Sequence, residues 1–484
     1  MNLKRPKIGD FRAALAALLL WPFFFAHCGF CAENAAKSAY ESAAEKYAAL
    51  MDYDMASAAK PDSEFFNAAK VAADAGDSYA QYIVGVCYYM GAAVGRDYQQ
   101  SVMNFSKSAF AGNKYGQLGL GFCLMEGRGV EENPAAAADY FAKSGLASAT
   151  NALGICYYKG SGVKFNPKLA IELFEKAAAA GCGRAKASLG RAYIEGVGVE
   201  KNFAKAQKLL TEAAYMGNAI AQNNLAVFYA EGISGRSDEF AALEWYKKSA
   251  EAGYPPAQLA IGLAYIQGIG VPSVDTVKGA QWILKAAEAE NVEAMNNIGV
   301  CYFNGIGVEK NYALAMHWYE KSALGGYAIA QNNLGDCFIN GVGGTVNSEE
   351  AVRWYRRAAF QGNVDAQSNL GYCYLAGIGT GKSAADAIKW LKLAAEAGDI
   401  SAQSNLGTCY VNGEGIKVDY AEGVKWLKLA ADKDDAQALG NLGACYYNGL
   451  GVEKNTLKGI ELMRKAAKLG NDDARKALLR IRRQ

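Results

Sequence analysis

Histidine is the first residue to count, because it serves most acid–base, nucleophilic and metal chemistry at neutral pH. Only two occur in 484 residues, His27 and His317. His317 stands where other segments of the chain carry Glu244, Gln281, Arg353, Lys389 or Lys425, which marks an interchangeable, solvated place. A histidine-based triad or zinc site would rest on that single residue. The segment Gly377-Ile-Gly-Thr-Gly-Lys382-Ser383 resembles a phosphate loop but is one residue short of G-x4-G-K-S, and it follows a helical pattern instead of a strand. Ser57-Ala-Ala-Lys60 and Ser161-Gly-Val-Lys164 match S-x-x-K, yet no K-T-G or S-D-N triplet accompanies them. No catalytic residue, cofactor or metal is therefore expected, and the chain does not read as an enzyme.

Asparagine offers a different chemistry. Asn224, Asn297, Asn333, Asn369, Asn405 and Asn441 each immediately precede a leucine or isoleucine of an apolar helical stripe. Asparagine forms helices poorly, so its recurrence at one helical position calls for a reason. An amide both donates and accepts hydrogen bonds. Two uses fit: a lateral ladder that ties neighbouring helices together, or a row that grips the backbone of an extended peptide. These six residues are the candidate partner-binding site. The residue before each turn glycine, from Glu126 and Lys159 to Asn412 and Asn448, varies in charge on the same side and would tune specificity.

The elements that position these amides come from self-comparison. Each A-x-x-x-L-G-like segment ends on a marker residue: Gly85, Gly121, Gly154, Gly190, Ala226, Gly262, Gly299, Gly335, Gly371, Gly407 or Gly443. The markers are 36 or 37 residues apart, except for one interval of 33. A fixed period of this size belongs to stacked arrays, since one unit cannot bury its own apolar face. Ala330, Leu334 and Phe338 recur at i, i+4 and i+8, one face of a helix. Gly341 then ends that helix, and sister segments spell the turn Gly-x-Gly-Val, as in Gly305-Ile306-Gly307-Val308. A second helix runs from about Ser348 to Phe360 with Ala351, Trp354, Ala358 and Ala359 inward, and Gly362 closes it.

Trp245, Trp282, Trp318, Trp354, Trp390 and Trp426 recur at one place in the second helix, and the tyrosines from Tyr88 to Tyr446 at one place in the first. Both read as core, the phenols bonding nearby backbone. Of 11 cysteines, eight stand two residues after a marker: Cys87, Cys123, Cys156, Cys301, Cys337, Cys373, Cys409 and Cys445. Packed helices lie about 10 Å apart, beyond the roughly 7 Å a disulfide spans. These thiols read as small buried side chains, and Cys182, between two glycines, reads as the exposed one.

The pattern resembles the Sel1-like repeat family, which is related to the tetratricopeptide repeat, over roughly residues 76 to 479. That resemblance implies an all-α, right-handed superhelical solenoid of tandem antiparallel helix pairs, with the first helix of each pair lining a concave protein-binding surface. Departures are the short unit between Gly121 and Gly154, Ala226 in place of glycine, and Gly232-Ile-Ser-Gly in place of Gly-x-Gly-Val. Helicobacter cysteine-rich proteins share the repeat but carry two cysteines per unit, where this chain has one. Some of them are described as β-lactamases, so a cell-envelope hydrolase or β-lactam-binding protein is the alternative reading.

The expected organisation is a signal peptide at 1–31, a helical cap at 33–75, about eleven repeats over 76–473 and a capping helix at 474–484. Residues 1–31 are basic (Lys4, Arg5, Lys7 and Arg12 against Asp10), then apolar from Ala13 to Ala26, then small. The apolar run of about 14 residues is shorter than the roughly 20 that span a bilayer. The expected location is therefore periplasmic or secreted, with an uncleaved N-terminal anchor as the alternative and no stable membrane insertion after cleavage. A net charge of +2 carries no footprint for nucleic acid. The expected function is an exported repeat scaffold that binds a protein or peptide ligand.

Overall fold

The computed structural model describes residues 39–45, 47, 62–344 and 346–483. The expected signal segment 1–31, and much of the expected cap at 33–75, lie outside the described residues. Among the described residues every regular element is an α-helix, 24 of them between Ser63 and Arg483, with a further helical stretch at 39–45. None of these helices is long and apolar enough to cross a membrane.

The helices alternate between two kinds. Helix A carries the marker glycine and helix B the recurring tryptophan. Ala328–Asn340 (A) and Ser348–Phe360 (B) form a representative pair, and B leads into the next A, Val364–Ala376. Within each unit, an A packs on its own B and on the B before it. The helices group into two compact units, one ending at Val274 and the other beginning at Asp275. Each unit is a stack of such pairs.

Local chemistry sets the boundaries. Helix B starts at an Asn, Asp or Ser cap: Asn347 Oδ1 accepts from Glu350 N at 3.1 Å, and Asp419 and Asn455 do the same for their helices. Helix A ends on a left-handed glycine, as at Gly341 with φ 66°, whose N–H bonds Cys337 O. The second glycine of the turn has a different task. A Cβ on Gly307 would lie 1.9 Å from Thr276 O, and one on Gly379 2.0 Å from Ser348 O. The turn therefore rests on the first residues of the preceding helix B, and only a residue without a side chain fits there.

The marker glycine permits close crossing of A and B. At Gly335 a Cβ would stand 2.6 Å from the ring of Tyr355, and at Gly154 2.6 Å from Phe174. Where Ala226 replaces it, the opposing Tyr246 is only half-buried, whereas Tyr319 and Tyr355 are buried. The short unit ends its helix B at Ser144 and begins the next helix A at Ala147, which accounts for its missing residues.

In six of the helices A a buried glutamine, one turn before the marker, ties the helix to the helix B before it. Gln81, Gln222, Gln258, Gln331, Gln367 and Gln403 donate to the carbonyls of Ala73, Ala214, Ala250, Ala323, Ala359 and Ala395 at 3.1–3.2 Å. These carbonyls lie in the last turn of helix B, where each already accepts a glycine N–H, as Ala323 O does from Gly326 N, so the amide adds a second bond that joins the two helices.

Candidate functional site

The six asparagines all lie on helix A and are half-buried. They do not behave alike. Asn333 Nδ2 donates to Asn296 Oδ1 at 2.9 Å, and Asn369 Nδ2 to Asn332 Oδ1 at 3.1 Å and Asp336 Oδ1 at 3.3 Å. Asn441 Nδ2 donates to Thr408 Oγ1 at 2.8 Å. These three form rungs between repeats. Asn297 turns back to its own helix, donating to Glu293 O at 2.8 Å. Among the described residues, no side-chain partner is seen for Asn224 or Asn405.

The acceptors explain the pattern. Each rung reaches the residue three before the marker in the preceding repeat, or the one just after its marker. The first of these positions holds buried Asn296 and Asn332. Ser188 and Asn151 make the same rung at 2.9 Å in the first unit, with serine as the donor. In the repeat before Asn405 the two acceptor positions are Ser368 and Tyr372. Ser368 is short, and its hydroxyl donates to Asp399 Oδ1 at 2.7 Å. Tyr372 points its ring outward and is 52% exposed. The ladder is thus interrupted between the helices Val364–Ala376 and Ile400–Asn412.

An open polar pocket of about 280 Å³ occupies that interruption. Asn369, Tyr372, Ser401, Asn405, Asp435 and Gln437 line it together with Ser368 and Ser404. Asp435 is already engaged: it caps the next helix A through Ala438 N and accepts from Ser404 Oγ, both at 2.7 Å. The pocket offers an amide, hydroxyls and one exposed aromatic face, and no cationic side chain lines it. Such a set can hydrogen-bond a polypeptide backbone in either sense and stack against a side chain.

One carboxylate stands beside the rungs. Asp336 accepts from Tyr355 Oη at 2.7 Å and from Asn332 Nδ2 at 3.0 Å, besides Asn369. Burial pushes its carboxyl up, while the bonds from Tyr355 and Asn332 pull it down. Its bonds are structural, fixing helix B and the next rung.

The rung and pocket amides are expected to respond differently to truncation. Asn333→Ala leaves Asn296 Oδ1 buried without its donor, a loss of about 1–3 kcal/mol. Asn405→Ala removes no internal bond and should stay within about 0.5 kcal/mol of the parent. Urea denaturation of the two variants checks this; equal losses would mean that Asn405 is also a rung.

The remaining chemical motifs resolve into structure. Gly377 closes a helix A, Lys382 pairs with Glu414 at 2.9 Å, and Ser383 caps the following helix B. Ser161 Oγ donates to Met125 Sδ at 3.7 Å, and Ser57 and Lys60 lie outside the described residues. His317 is exposed, its ring edge-on to Trp318. Among the described residues no group of three or more His, Cys, Asp or Glu side chains is placed to hold a metal.

Three expectations need correction. Cys182 is buried, at 5% exposure, not exposed. It occupies the cap position that is Asn218 or Asn363 in sister repeats, and it packs against Ala177 and Ala185. The tryptophans are not uniformly core: Trp354 is buried, but the other five are half-buried, and Lys248, Lys285, Lys321 and Arg357 lie 4.0–4.9 Å over the rings three residues before them. The tyrosine hydroxyls are met by side chains of helix B, as where Arg356 reaches Tyr374 and Lys458 reaches Tyr446, both at 3.0 Å.

Sequence reasoning missed the position three before the marker, because Tyr82, Ala187, Asn296, Ser368 and Gly440 show no common chemistry there. The one available signal was the doubled Asn-Asn at 223–224, 296–297 and 332–333.

The Sel1 repeat model matches eleven consecutive segments, from 78–113 to 436–471. Among solved structures, the chain is similar to c5321, a protective antigen of uropathogenic Escherichia coli with an SLR fold. That match has 30% identity and a TM-score of 0.57, and it covers 86% of this chain and 90% of that one. A Sel1 repeat protein from Oxalobacter formigenes is 29% identical over 63% of this chain and 89% of its own, with a TM-score of 0.46. No curated protein sequence matches the chain.

Proposed function

The chain belongs to the Sel1 repeat family, and on that premise we propose that it is an exported, non-enzymatic scaffold that binds an extended segment of a partner protein along helix A of its second unit. One observation carries the reading. The amide ladder is interrupted where Ser368 and Tyr372 replace its acceptors, and the pocket so opened presents Asn405 and an exposed Tyr372 ring. A bound strand would replace the missing rung with its own backbone amide, and one of its side chains would rest on Tyr372.

Selection of displayed linear peptides against the folded chain tests the pocket. Selected peptides should lose binding about tenfold or more when Tyr372→Ala and Asn405→Ala are combined, since an aromatic contact and an amide bond are each worth about 1 kcal/mol. Asn297→Ala, whose amide serves its own helix, should leave binding unchanged. Peptides that bind the double variant equally well would place the site elsewhere.

Export rests on the basic, apolar and small-residue order of residues 1–31. N-terminal sequencing of the protein recovered from its native host should find a start after Ala26 and before about Ser38. An intact Met1 on envelope-bound protein would instead support the uncleaved anchor.

A further inference from the structure

The last helix pair departs from its sisters on the side away from the amide row. Helix B carries tryptophan at 245, 282, 318, 354, 390 and 426, but the next place in the series is Leu462. In the preceding repeat Trp426 packs against the cluster formed by Ala387, Leu391 and Leu406. At two of the six places the indole also meets an aromatic residue at the end of the previous helix B. Trp390 is edge-on to Phe360 at 5.1 Å, and Trp245 to Tyr215 at 5.4 Å. The corresponding residue before Leu462 is Asp432. The indole is thus missing from this pair, and a cavity of about 380 Å³ lined by Leu462 and Asp432 lies there.

Charge changes at the same location. Position 458 is Glu422, Asp386 and Glu350 in the three preceding repeats, and here it is lysine. Position 439, glutamine in those three repeats, is leucine here. The cavity therefore has a floor of Leu439, Leu442 and Leu462 and a wall of Lys428, Lys458 and Tyr446. Lys458 Nζ donates to Tyr446 Oη at 3.0 Å. That bond, with Lys428 nearby, holds the phenol below its ordinary range. Asp432 and Lys465 face the same space, and Lys465 is paired with Asp434. With those acids opposed by three ammonium groups, the wall remains cationic.

We propose that this cavity is a binding site for an aromatic carboxylate. The ring occupies the place that an indole fills in six sister repeats, on the three leucines. The carboxylate accepts hydrogen bonds from Lys428 and Lys458. The volume lies at the lower end of the range of small-molecule sites and admits about one aromatic amino acid. The chemistry is shared by free arylalkyl acids and by a polypeptide that ends in an aromatic residue.

The test is calorimetric titration of the full chain with N-acetyltryptophan. Saturation is expected with a dissociation constant of about 1 mM or below. N-acetyltryptophanamide, which lacks the charge, should bind about tenfold more weakly or worse. Leu462→Trp restores the residue that six sister repeats accommodate, so it should fold, checked by circular dichroism, and abolish binding. Lys458→Glu, which copies Glu422, should weaken binding at least about tenfold. Indole-3-propionate and acetyl-Gly-Gly-Trp separate the two sources: a preference for the first points to free acids, and for the second to chain termini. Absence of saturation by N-acetyltryptophan, equal binding of the amide, or unchanged binding by Leu462→Trp would each overturn the assignment.

Discussion

Gly335→Leu should destabilise the second unit by about 3 kcal/mol or more, at the upper end of what overpacking costs. A Cβ alone at Gly335 would stand 2.6 Å from the Tyr355 ring. That ring is buried and cannot move out cheaply, because its hydroxyl donates to Asp336, which also accepts from Asn332 and Asn369. Displacing the ring would therefore break the internal bonds of a half-buried carboxylate as well as the packing. Gly335→Ala should cost less, since Ala226 shows the natural accommodation, a tyrosine turned partly to solvent. Gly381→Ala is the control: its φ is not positive and nothing lies within 4 Å of an added Cβ, so it should stay within about 0.5 kcal/mol of the parent. Urea titration followed by circular dichroism reads all three. Equal losses at 335 and 381 would contradict the close A–B crossing.

Alkaline pH should unfold the array well before it unfolds a cysteine-free equivalent. Burial pushes the thiols of Cys301, Cys337, Cys373, Cys409 and Cys445 up to about 11, and those of Cys87 and Cys123 to about 12. An unfolded thiol titrates near 8.5. Between these values the unfolded chain has released protons that the folded chain still holds, so stability falls as pH rises. Below about pH 8 both states are protonated and the thiols add no pH dependence. The melting temperature should therefore be level from pH 7 to 8 and drop progressively above pH 9. A variant with alanine at the five second-unit positions, the residue that Ala192 and Ala264 already supply, should flatten the drop within that unit. The same burial should keep the thiols unreactive toward Ellman's reagent until urea is added. Rapid native-state reaction or a flat alkaline profile would contradict the buried protonated thiols.

The helix pair, its turn and its period were legible because each leaves a repeated mark. Ala330, Leu334 and Phe338 set the stripe, Gly341 the end, and the 36-residue return of both the array. The second turn glycine was visible but its cause was not, since it answers to Thr276 or Ser348 in the preceding helix B. The asparagine row was legible as a position, yet its division was not. Whether an amide becomes a rung depends on what stands across from it: Asn296 and Asn332 accept, whereas Ser368 turns to Asp399. Periodicity places residues on a face and says nothing of such lateral pairing. Cys182 was misread for a related reason, because flanking glycines suggested a free turn while the residue serves as a helix cap.

The interrupted ladder as a docking place is tested most directly by site-specific photocrosslinking in native envelope preparations. A benzophenone amino acid would be placed at Tyr372, and for comparison at Glu320, an exposed helix B position. Adducts of one defined partner at 372, absent at 320 and lost when Asn405→Ala is added, are the expected result. Adducts at 320 with none at 372, or adducts at 372 indifferent to Asn405→Ala, would contradict peptide binding at the gap in the amide row.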